Sequence, residues 1–226
     1  MVLVPDLPGC AGVTPLVTRH TAQAYAQWAV DLVAARGLDR VAVGGLCSGT
    51  AIALAFADLA PDRVTGLLLH TPFVRPALIR PLIRAQLALL VSPAGALWGP
   101  VRRSTTLSML HRRLFAEGAQ VDPVHIAHDQ ADRLAADARA GRELARDLLT
   151  DDRTATLQNW KGPLAAVLAD HDTFVDTPRT VAALTEAAPQ AVVERLPGGH
   201  GWTPAYREHQ HAALSRLAPR LRAGMV

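Results

Sequence analysis

Cysteine is scarce in this chain, and its scarcity excludes a fold built on disulfide bonds. The 226 residues include only Cys10 and Cys47. A disulfide framework in a chain of this length needs more cysteines than two. A single bridge between Cys10 and Cys47 is the alternative, but we expect both thiols to be reduced, as in a cytoplasmic protein.

The chain also lacks a long, uninterrupted hydrophobic segment. Its longest mainly apolar stretch, residues 85–98, is broken by Gln86, Ser92, Pro93 and Gly95. A helix that spans a bilayer needs about 20 consecutive apolar residues. The first residues, MVLVPDLPG, have neither the basic region nor the long apolar core of a secretory signal. The sequence therefore predicts a cytoplasmic protein without stable membrane insertion.

Aromatic residues and lysine are few as well. Phe, Trp and Tyr make up 4% of the sequence, and Lys161 is the only lysine, so arginine supplies nearly all the positive charge. Surfaces that bind single-stranded nucleic acid combine basic side chains with aromatic rings that stack on bases. No nucleic-acid recognition motif accompanies the arginines of this chain, and we expect no nucleic-acid partner.

What the chain does contain is a regular alternation of strand and helix patterns. Half of its residues are apolar, and short apolar runs alternate with amphipathic stretches. This alternation is typical of an α/β fold, in which helices flank a mostly parallel sheet. We predict about five strands, at residues 1–5, 40–43, 64–69, 164–168 and 192–196. Helices are predicted at residues 21–36, 48–59 and 177–188, and a terminal helix is predicted to open at Thr203-Pro204.

The alternation stops between the third and fourth predicted strands. From about residue 73 to residue 160 the pattern is helical, with no convincing strand. We therefore predict a core formed by residues 1–73 and 161–226, with a helical cap, residues 74–160, inserted after the third strand.

A sharp turn between a strand and a helix carries the first candidate for chemistry. Residues 41–54 read VAVGGLCSGTAIAL, and the frame Gly45-Leu46-Cys47-Ser48-Gly49 matches the pattern G-x-nucleophile-x-G. Glycines flank the nucleophile because its backbone is strained and the helix passes close to the strand. Cys47 holds the central position, where the helix N-terminus favours a thiolate. Ser48 is the alternative nucleophile, although Leu46 fits its frame poorly, and the non-catalytic alternative is a small buried thiol at a tight turn.

The candidate base and carboxylate follow later strands. His200 lies in LPGGHGW after the last predicted strand, and the fourth predicted strand runs into LADHDTFVD, which contains Asp170, Asp172 and Asp176. The carboxyl ends of parallel strands meet at one edge of a sheet, so we expect these loops to lie near Cys47. A histidine that takes a proton from a nucleophile needs a carboxylate to orient it. The chain order nucleophile, acid, histidine is that of nucleophile-elbow enzymes.

Taken together, these segments resemble the α/β-hydrolase fold. Besides the elbow GGLCSG and the histidine loop LPGGHGW, the segments VLVPDLPG, APDRVTGLLLHTP and GPLAAVLADHDTFVD are similar to three further parts of that fold. They correspond to the strand and loop before the elbow, to the strand after the elbow helix, and to the acid loop. The later carboxylate of the acid-loop pair usually belongs to the triad, which implies Asp172 over Asp170. A cysteine at the elbow resembles the G-x-C-x-G turn of dienelactone hydrolases and polyhydroxyalkanoate synthases.

The resemblance implies a chain that is short at its N-terminus. Members of the fold ordinarily begin with two or three more strands and with an HG-type loop that provides one donor of the oxyanion hole. No HG string precedes the first predicted strand. The backbone N–H of Ser48 is therefore the one oxyanion donor that the sequence identifies.

The resemblance also implies an enzyme that cleaves an ester or a thioester of a small-molecule acyl substrate. In this interpretation Cys47 attacks the carbonyl, His200 handles the proton and Asp172 orients His200. No metal, nucleotide or flavin is required, and a homodimer is one expectation for the quaternary state. Two alternatives stay open: acyl transfer by the same triad, and a catalytically defective, hydrolase-like binding protein.

The predicted cap is rich in arginine. Between residues 73 and 120 there are seven arginines and only one acidic residue, Glu117. Apolar residues, including Trp98, alternate with the arginines along the sequence. We interpret the arginines as the solvated face of a cap that packs on the core. The alternative is an apolar lid with a basic rim, which would receive an anionic acyl substrate or rest on an acidic membrane surface. The seven are Arg75, Arg80, Arg84, Arg102, Arg103, Arg112 and Arg113.

Overall fold

Four parallel strands form one sheet in the part of the chain that the structure describes. The structure is a computed structural model and describes residues 2–97, 131–132, 134–200 and 207–222. The strands lie side by side in the order in which the chain makes them. They are β1 (Val41–Leu46), β2 (Val64–His70), β3 (Leu164–Ala169) and β4 (Val192–Leu196).

Helices connect these strands. Helix α1 (Ala22–Ala35) precedes β1, α2 (Ser48–Leu59) joins β1 to β2, and α6 (Thr177–Ala187) joins β3 to β4. Helix α7 (Arg207–Arg222) follows β4. Between β2 and β3 lie α3 (Pro81–Val91), α4 (Ala138–Leu148) and α5 (Thr154–Asn159), together with short 3-10 turns at Pro76–Leu78 and Pro93–Leu97. The predicted α/β fold class, a parallel sheet flanked by helices, is confirmed.

The helices cover both faces of the sheet. Successive side chains of a strand point to opposite faces. Leu67 and Leu69 of β2 belong to the larger apolar core, which they share with helices α1, α2 and α6. Ala165 and Val167 of β3 belong to a second core that includes Leu217 of α7. The described elements therefore form three layers, with the sheet between two layers of helices.

The strand register aligns the carboxyl ends of all four strands. Leu46 pairs with His70, His70 pairs with Val167, and Ala169 pairs with Leu196. The residues that directly follow these ends therefore emerge at one edge of the sheet, where α/β proteins usually place their sites.

The strand predicted at residues 1–5 does not form. Residues 2–6 have no regular structure, and Val2 and Val4 are 87% and 85% exposed. A strand needs a neighbour to receive its backbone hydrogen bonds. Among the described residues β1 pairs only with β2, so residues 2–5 have no strand beside them. The sheet has four described strands where the sequence predicted about five.

Asp176 is the N-cap of the helix that follows β3. The Asp176 side chain, not that of Thr177, accepts the capping hydrogen bond, from the N–H of Arg179. The Thr177 hydroxyl donates instead to the carbonyl oxygen of Ala169 at 2.6 Å. Thr177 thus ties the end of β3 to the helix and leaves the capping to its acidic neighbour.

Part of the predicted cap touches the start of α1. Asp147 of α4 accepts a hydrogen bond of 2.7 Å from the N–H of Ala22, and Glu143 accepts one of 2.8 Å from the N–H of His20. Carboxylates at a helix N-terminus stabilise its unpaired N–H groups. Several predicted features fall outside the described residues: Trp98, Arg102, Arg103, Arg112, Arg113, Glu117 and the start of the terminal helix at Thr203-Pro204.

Helix length and hydropathy bear on membrane insertion. Within the described ranges, no helix is both long enough and apolar enough to cross a bilayer.

Candidate active site

The turn after β1 holds Cys47 in a strained backbone conformation. Its φ is 56° and its ψ is −122°, a region that residues other than glycine rarely adopt. Two contacts hold the turn in this shape. The N–H of Cys47 donates to the carbonyl oxygen of His70 at 2.9 Å, and the Thr50 hydroxyl donates to the carbonyl oxygen of Cys47 at 2.5 Å. The same Thr50 hydroxyl accepts from the N–H of Phe73 at 2.9 Å, which links the turn to the segment after β2.

The two glycines of the elbow have different structural requirements. A Cβ atom on Gly45 would lie 2.1 Å from the carbonyl oxygen of Gly49, whereas a Cβ on Gly49 would meet nothing within 4 Å. Gly45 is therefore required by the close passage of α2 over the end of β1. Gly49 supplies the backbone that passes there.

Asp172 lies in a tight turn after β3 and is almost fully buried, at 1% exposure. Its Oδ1 atom accepts hydrogen bonds from the N–H groups of Phe174 at 2.7 Å and Val175 at 2.9 Å. Two such bonds satisfy a buried carboxylate and fix its orientation. The turn therefore holds the carboxylate through its own main-chain N–H groups.

His200 completes the cluster from the loop after β4. Its Nδ1 atom lies 3.0 Å from Oδ1 and 2.9 Å from Oδ2 of Asp172. The Phe174 ring stacks on the imidazole with 4.0 Å between ring centroids and 18° between ring planes. The His200 side chain is 12% exposed. The imidazole is thus held at one nitrogen and on one face.

The electrostatics of His200 connect it to Cys47. Burial is the largest single influence and on its own lowers the pKa of His200. Hydrogen bonds to the side chains of Asp172 and Cys47, and the negative charges of both, outweigh burial and raise the pKa from 6.5 to about 9. Because Asp172 occupies Nδ1, Nε2 is the nitrogen left to face Cys47. The arrangement favours a protonated imidazole, held between the carboxylate of Asp172 and the side chain of Cys47.

A second histidine lies close to the cluster. His70, the last residue of β2, is 6% exposed. Burial lowers its pKa from 6.5 to about 4; the charge of His200 lowers it further, and that of Asp172 opposes the shift. His70 is therefore neutral at neutral pH, beside a His200 that carries the charge. Its low exposure indicates that the His70 side chain packs in the interior at this edge of the sheet.

The remaining candidates lie apart from this cluster or at its border. Asp170 binds Arg195 with an N–O distance of 2.7 Å, and Asp176 caps α6. Cys10 is an exposed free thiol in the loop that precedes α1. Burial of its sulfur and the charge of Asp6 raise the pKa of Cys10. Ser48 is the first residue of α2, where N–H groups have no partner within the helix.

We call residues 172–175, which form the tight turn after β3, the acid turn. Two residues that bind this turn or His200 were not identified from the sequence. They are Phe174, which stacks on the imidazole, and Arg80, whose side chain binds the main chain of the acid turn. Within the described ranges, no group of His, Cys, Asp and Glu side chains is arranged to hold a metal ion.

Comparison with known proteins gives a family match over nearly the whole chain. Residues 2–216 match the alpha/beta hydrolase family. No curated protein matches the chain.

Solved structures with the same fold are distant in sequence. A thermophilic esterase from Thermogutta terrifontis is 22% identical, with a TM-score of 0.74, over 98% of this chain and 79% of the esterase. A bromoperoxidase from Bacillus anthracis is 14% identical, with a TM-score of 0.77, over 95% of this chain and 80% of the other. The carboxylesterase CesB from Bacillus subtilis is 15% identical, with a TM-score of 0.70, over 96% and 72%. At these identities the likeness establishes the fold alone.

Proposed function

This chain belongs to the alpha/beta hydrolase family, and on that basis we propose that it hydrolyses an ester or thioester through Cys47, His200 and Asp172. The observation that carries the proposal is the position of His200. One imidazole nitrogen binds both oxygens of a buried carboxylate, and the other side of the ring interacts with the Cys47 side chain. A nucleophile, a base and an orienting carboxylate in this order form a catalytic triad.

The first half of the proposed reaction forms an acyl-enzyme. The Cys47 sulfur attacks the substrate carbonyl carbon, a C–S bond forms, and the carbonyl electrons move onto oxygen. The N–H of Ser48 donates to this oxyanion. The oxyanion then collapses, the bond to the leaving group breaks, and the imidazolium of His200 gives its proton to the departing oxygen or sulfur.

The second half releases the acyl group. His200, now neutral, takes a proton from water while the water oxygen attacks the thioester carbon. Collapse of the second oxyanion breaks the C–S bond, and the sulfur leaves as a thiolate beside the protonated imidazole. Asp172 keeps Nδ1 protonated and the ring in orientation throughout. The products are a carboxylic acid and an alcohol or thiol.

The segment between β2 and β3 is the candidate for covering the substrate site. We propose that residues 74–160 form a cap over the sheet edge that carries Cys47, Asp172 and His200. The described part of this segment begins after β2 and contacts the turn that holds Asp172, since Ile79 pairs with Val175 in an antiparallel bridge. A cap in this position would select the substrate by its acyl chain or its leaving group.

Trapping the acyl-enzyme tests the proposal. The full chain is mixed with p-nitrophenyl acetate, quenched in acid and digested, and the peptides are weighed by mass spectrometry. We expect an acetyl group on Cys47, loss of turnover in Cys47→Ala, and unchanged turnover in Cys10→Ala. Turnover that survives Cys47→Ala, or acetylation of Cys10 alone, would overturn the assignment.

Two further arms separate the alternatives. Alkylation of Cys47 by iodoacetamide is expected to slow in His200→Ala, because the imidazole that stabilises the thiolate is gone. Added alcohol or thiol distinguishes acyl transfer: if p-nitrophenol is released over many turnovers only when an acceptor is present, and the acetyl group is recovered on that acceptor, the protein is an acyltransferase. Binding of esters without any acyl-enzyme would identify a non-catalytic binding protein.

A further inference from the structure

Arg80 lies at the boundary between the acid turn and the first helix of the predicted cap. It is the N-cap residue of α3, but its side chain makes no capping hydrogen bond to that helix. The Arg80 Nε atom instead donates to two main-chain carbonyl oxygens of the acid turn, Asp172 at 2.7 Å and Val175 at 3.3 Å. The side chain thus points away from the helix it begins and toward the residue that binds His200.

The main chain of Arg80 reinforces this contact. Its N–H donates to the carbonyl oxygen of Phe174 at 2.8 Å, and the N–H of Asp176 donates to the carbonyl oxygen of Leu78 at 2.9 Å. Ile79 and Val175 form an antiparallel bridge between these bonds and are 3% and 0% exposed. Residues 78–80 therefore lie along the acid turn, with the buried Ile79 at the centre of the contact.

The two ends of Asp172 are held by different parts of the molecule. Its carboxylate receives N–H groups from its own turn, while its main-chain carbonyl receives the charged donor of Arg80. Hydrogen bonds from a charged donor are stronger than neutral ones. The Arg80 bond closes the turn from the outside, since it joins the carbonyl of the first residue, Asp172, to that of the fourth, Val175.

From this geometry we propose that Arg80 is a positioning residue for Asp172, and through Asp172 for His200, so that the start of the predicted cap is coupled to the triad. The proposal rests on the proposed function for its catalytic consequence, but the coupling itself is independent of any substrate. Loss of the Nε donor leaves the carbonyls of Asp172 and Val175 without this partner. The turn can then relax, and the carboxylate loses its alignment with the imidazole.

Three variants of the full chain test the proposal: Arg80→Met, Arg80→Lys and Arg84→Met. Arg84 is the matched control, because it lies one turn further along α3 and its side chain is exposed. The first measurement is the pKa of the His200 imidazole by NMR titration, with the resonance assigned from His200→Asn. We expect Arg80→Met to lower that pKa by about one unit, because the hydrogen bond that His200 Nδ1 donates to Asp172, which raises the pKa, is weakened. The pKa of His200 in Arg80→Lys should lie between the values in Arg80→Met and in the parent protein. In Arg84→Met it should equal the value in the parent.

The second measurement separates positioning from substrate binding. With p-nitrophenyl acetate, Arg80→Met should lower kcat about tenfold while KM changes by less than about twofold, because misalignment affects the chemical step more than binding. Thermal unfolding of each variant shows which losses are due to a folding defect. If Arg80→Met does not fold, Arg80→Lys carries the same two measurements.

The outcomes are distinct for each hypothesis. An unchanged pKa of His200 in a folded Arg80 variant would overturn the positioning role, as would a pKa shift of equal size in Arg84→Met. If the parent protein turns over no ester but the NMR shift appears in the Arg80 variants, the coupling stands and the proposed function fails. If turnover depends on Cys47 but the pKa of His200 does not change in the Arg80 variants, the proposed function stands and the coupling through Arg80 is wrong.

Discussion

The main-chain N–H of Cys47 donates a 2.9 Å hydrogen bond to the carbonyl oxygen of His70, the last residue of the neighbouring strand. This bond continues the ladder between β1 and β2 one step beyond the end of β1. It fixes the strained residue by main-chain atoms alone. The position of the thiol therefore follows from the sheet, and the turn cannot shift without breaking the register at its carboxyl edge.

Replacement of Asp172 by asparagine tests the coupling between the carboxylate and the imidazole. The Asp172→Asn variant would retain the shape of the side chain but lose its negative charge, so the pKa of His200 should fall from about 9 toward 6.5. The alkaline limb of kcat/KM, which reports loss of the imidazolium proton, should move to lower pH by the same amount. Activity at the optimum should fall by about 10²-fold or more. A pH–rate profile identical to that of the parent would contradict the orienting role.

The stability of the fold should peak near pH 6.5, the ordinary pKa of both histidines at the site. His200 has a folded pKa of about 9, above its ordinary 6.5, so its contribution is complete below pH 6.5 and is lost as the pH rises to 9. His70 has a folded pKa of about 4, below 6.5, so its contribution is complete above pH 6.5 and is lost as the pH falls to 4. Each shift corresponds to at most about 3 kcal/mol.

Urea unfolding at about pH 4.5, about pH 6.5 and about pH 9 measures both limbs. His200→Asn should flatten the alkaline limb only, and His70→Gln should flatten part of the acidic limb only. Equal flattening of both limbs by one variant would show that the two histidines do not titrate as described.

The two elbow glycines should respond differently to alanine. Gly45→Ala places a methyl group 2.1 Å from the Gly49 carbonyl oxygen, and α2 must move away from β1 to accept it. We expect a loss of roughly 2–4 kcal/mol in the free energy of unfolding, as for a severe overpacking change. Gly49→Ala meets no atom within 4 Å and lies in a helix, so it should be neutral or stabilising by up to about 1 kcal/mol. Denaturant unfolding of both variants checks the difference, and equal losses would contradict it.

Removal of the Phe174 ring tests the stacking on His200. Phe174→Leu keeps an apolar side chain but removes the aromatic face that lies 4.0 Å from the imidazole centroid. An aromatic face stabilises a cation above it by about 0.5–2 kcal/mol, so the pKa of His200 should fall by roughly 0.5 unit. NMR titration of His200 measures the shift. Phe73→Leu is the control, since its ring centroid is 6.5 Å away and tilted; a larger shift in the control would contradict the assignment.

The sequence predicted the positions of the strands well where burial determined them. The starts of β2 at Val64 and of β3 at Leu164 match the structure, because largely apolar runs report buried strands directly. The prediction at residues 192–196 also matches, although β4 is mostly only half-buried. The prediction ended β1 at residue 43, since glycine disfavours strands, yet β1 continues to Leu46. Gly45 lies in the strand because α2 passes close to it. The strand propensity of glycine contains no information about such a long-range contact. The strand predicted at residues 1–5 was wrong for the opposite reason. Their composition suits a strand, but among the described residues no neighbouring strand pairs with them.

Some residues of the candidate site could be predicted from the sequence, and others could not. Chain order and the elbow pattern pointed to Cys47, to His200 and to the aspartates after β3, and the resemblance to the α/β-hydrolase fold selected Asp172 among these. The side chains of Cys47, Asp172 and His200 interact in the structure, and their catalytic roles stay predictions. Phe174 was passed over because nothing local marks a residue whose ring meets another loop. Arg80 lies 92 positions from Asp172 in the chain, so only the fold reveals their contact.

The hydrogen bonds that hold residue 47 involve its amide and its carbonyl rather than its sulfur. The position of the reactive atom is therefore set by the backbone of residue 47, whereas its chemical nature is set by the side chain. A hydroxyl in place of the thiol would be presented at the same spot, so this fold could exchange one kind of nucleophile for another without rebuilding its architecture.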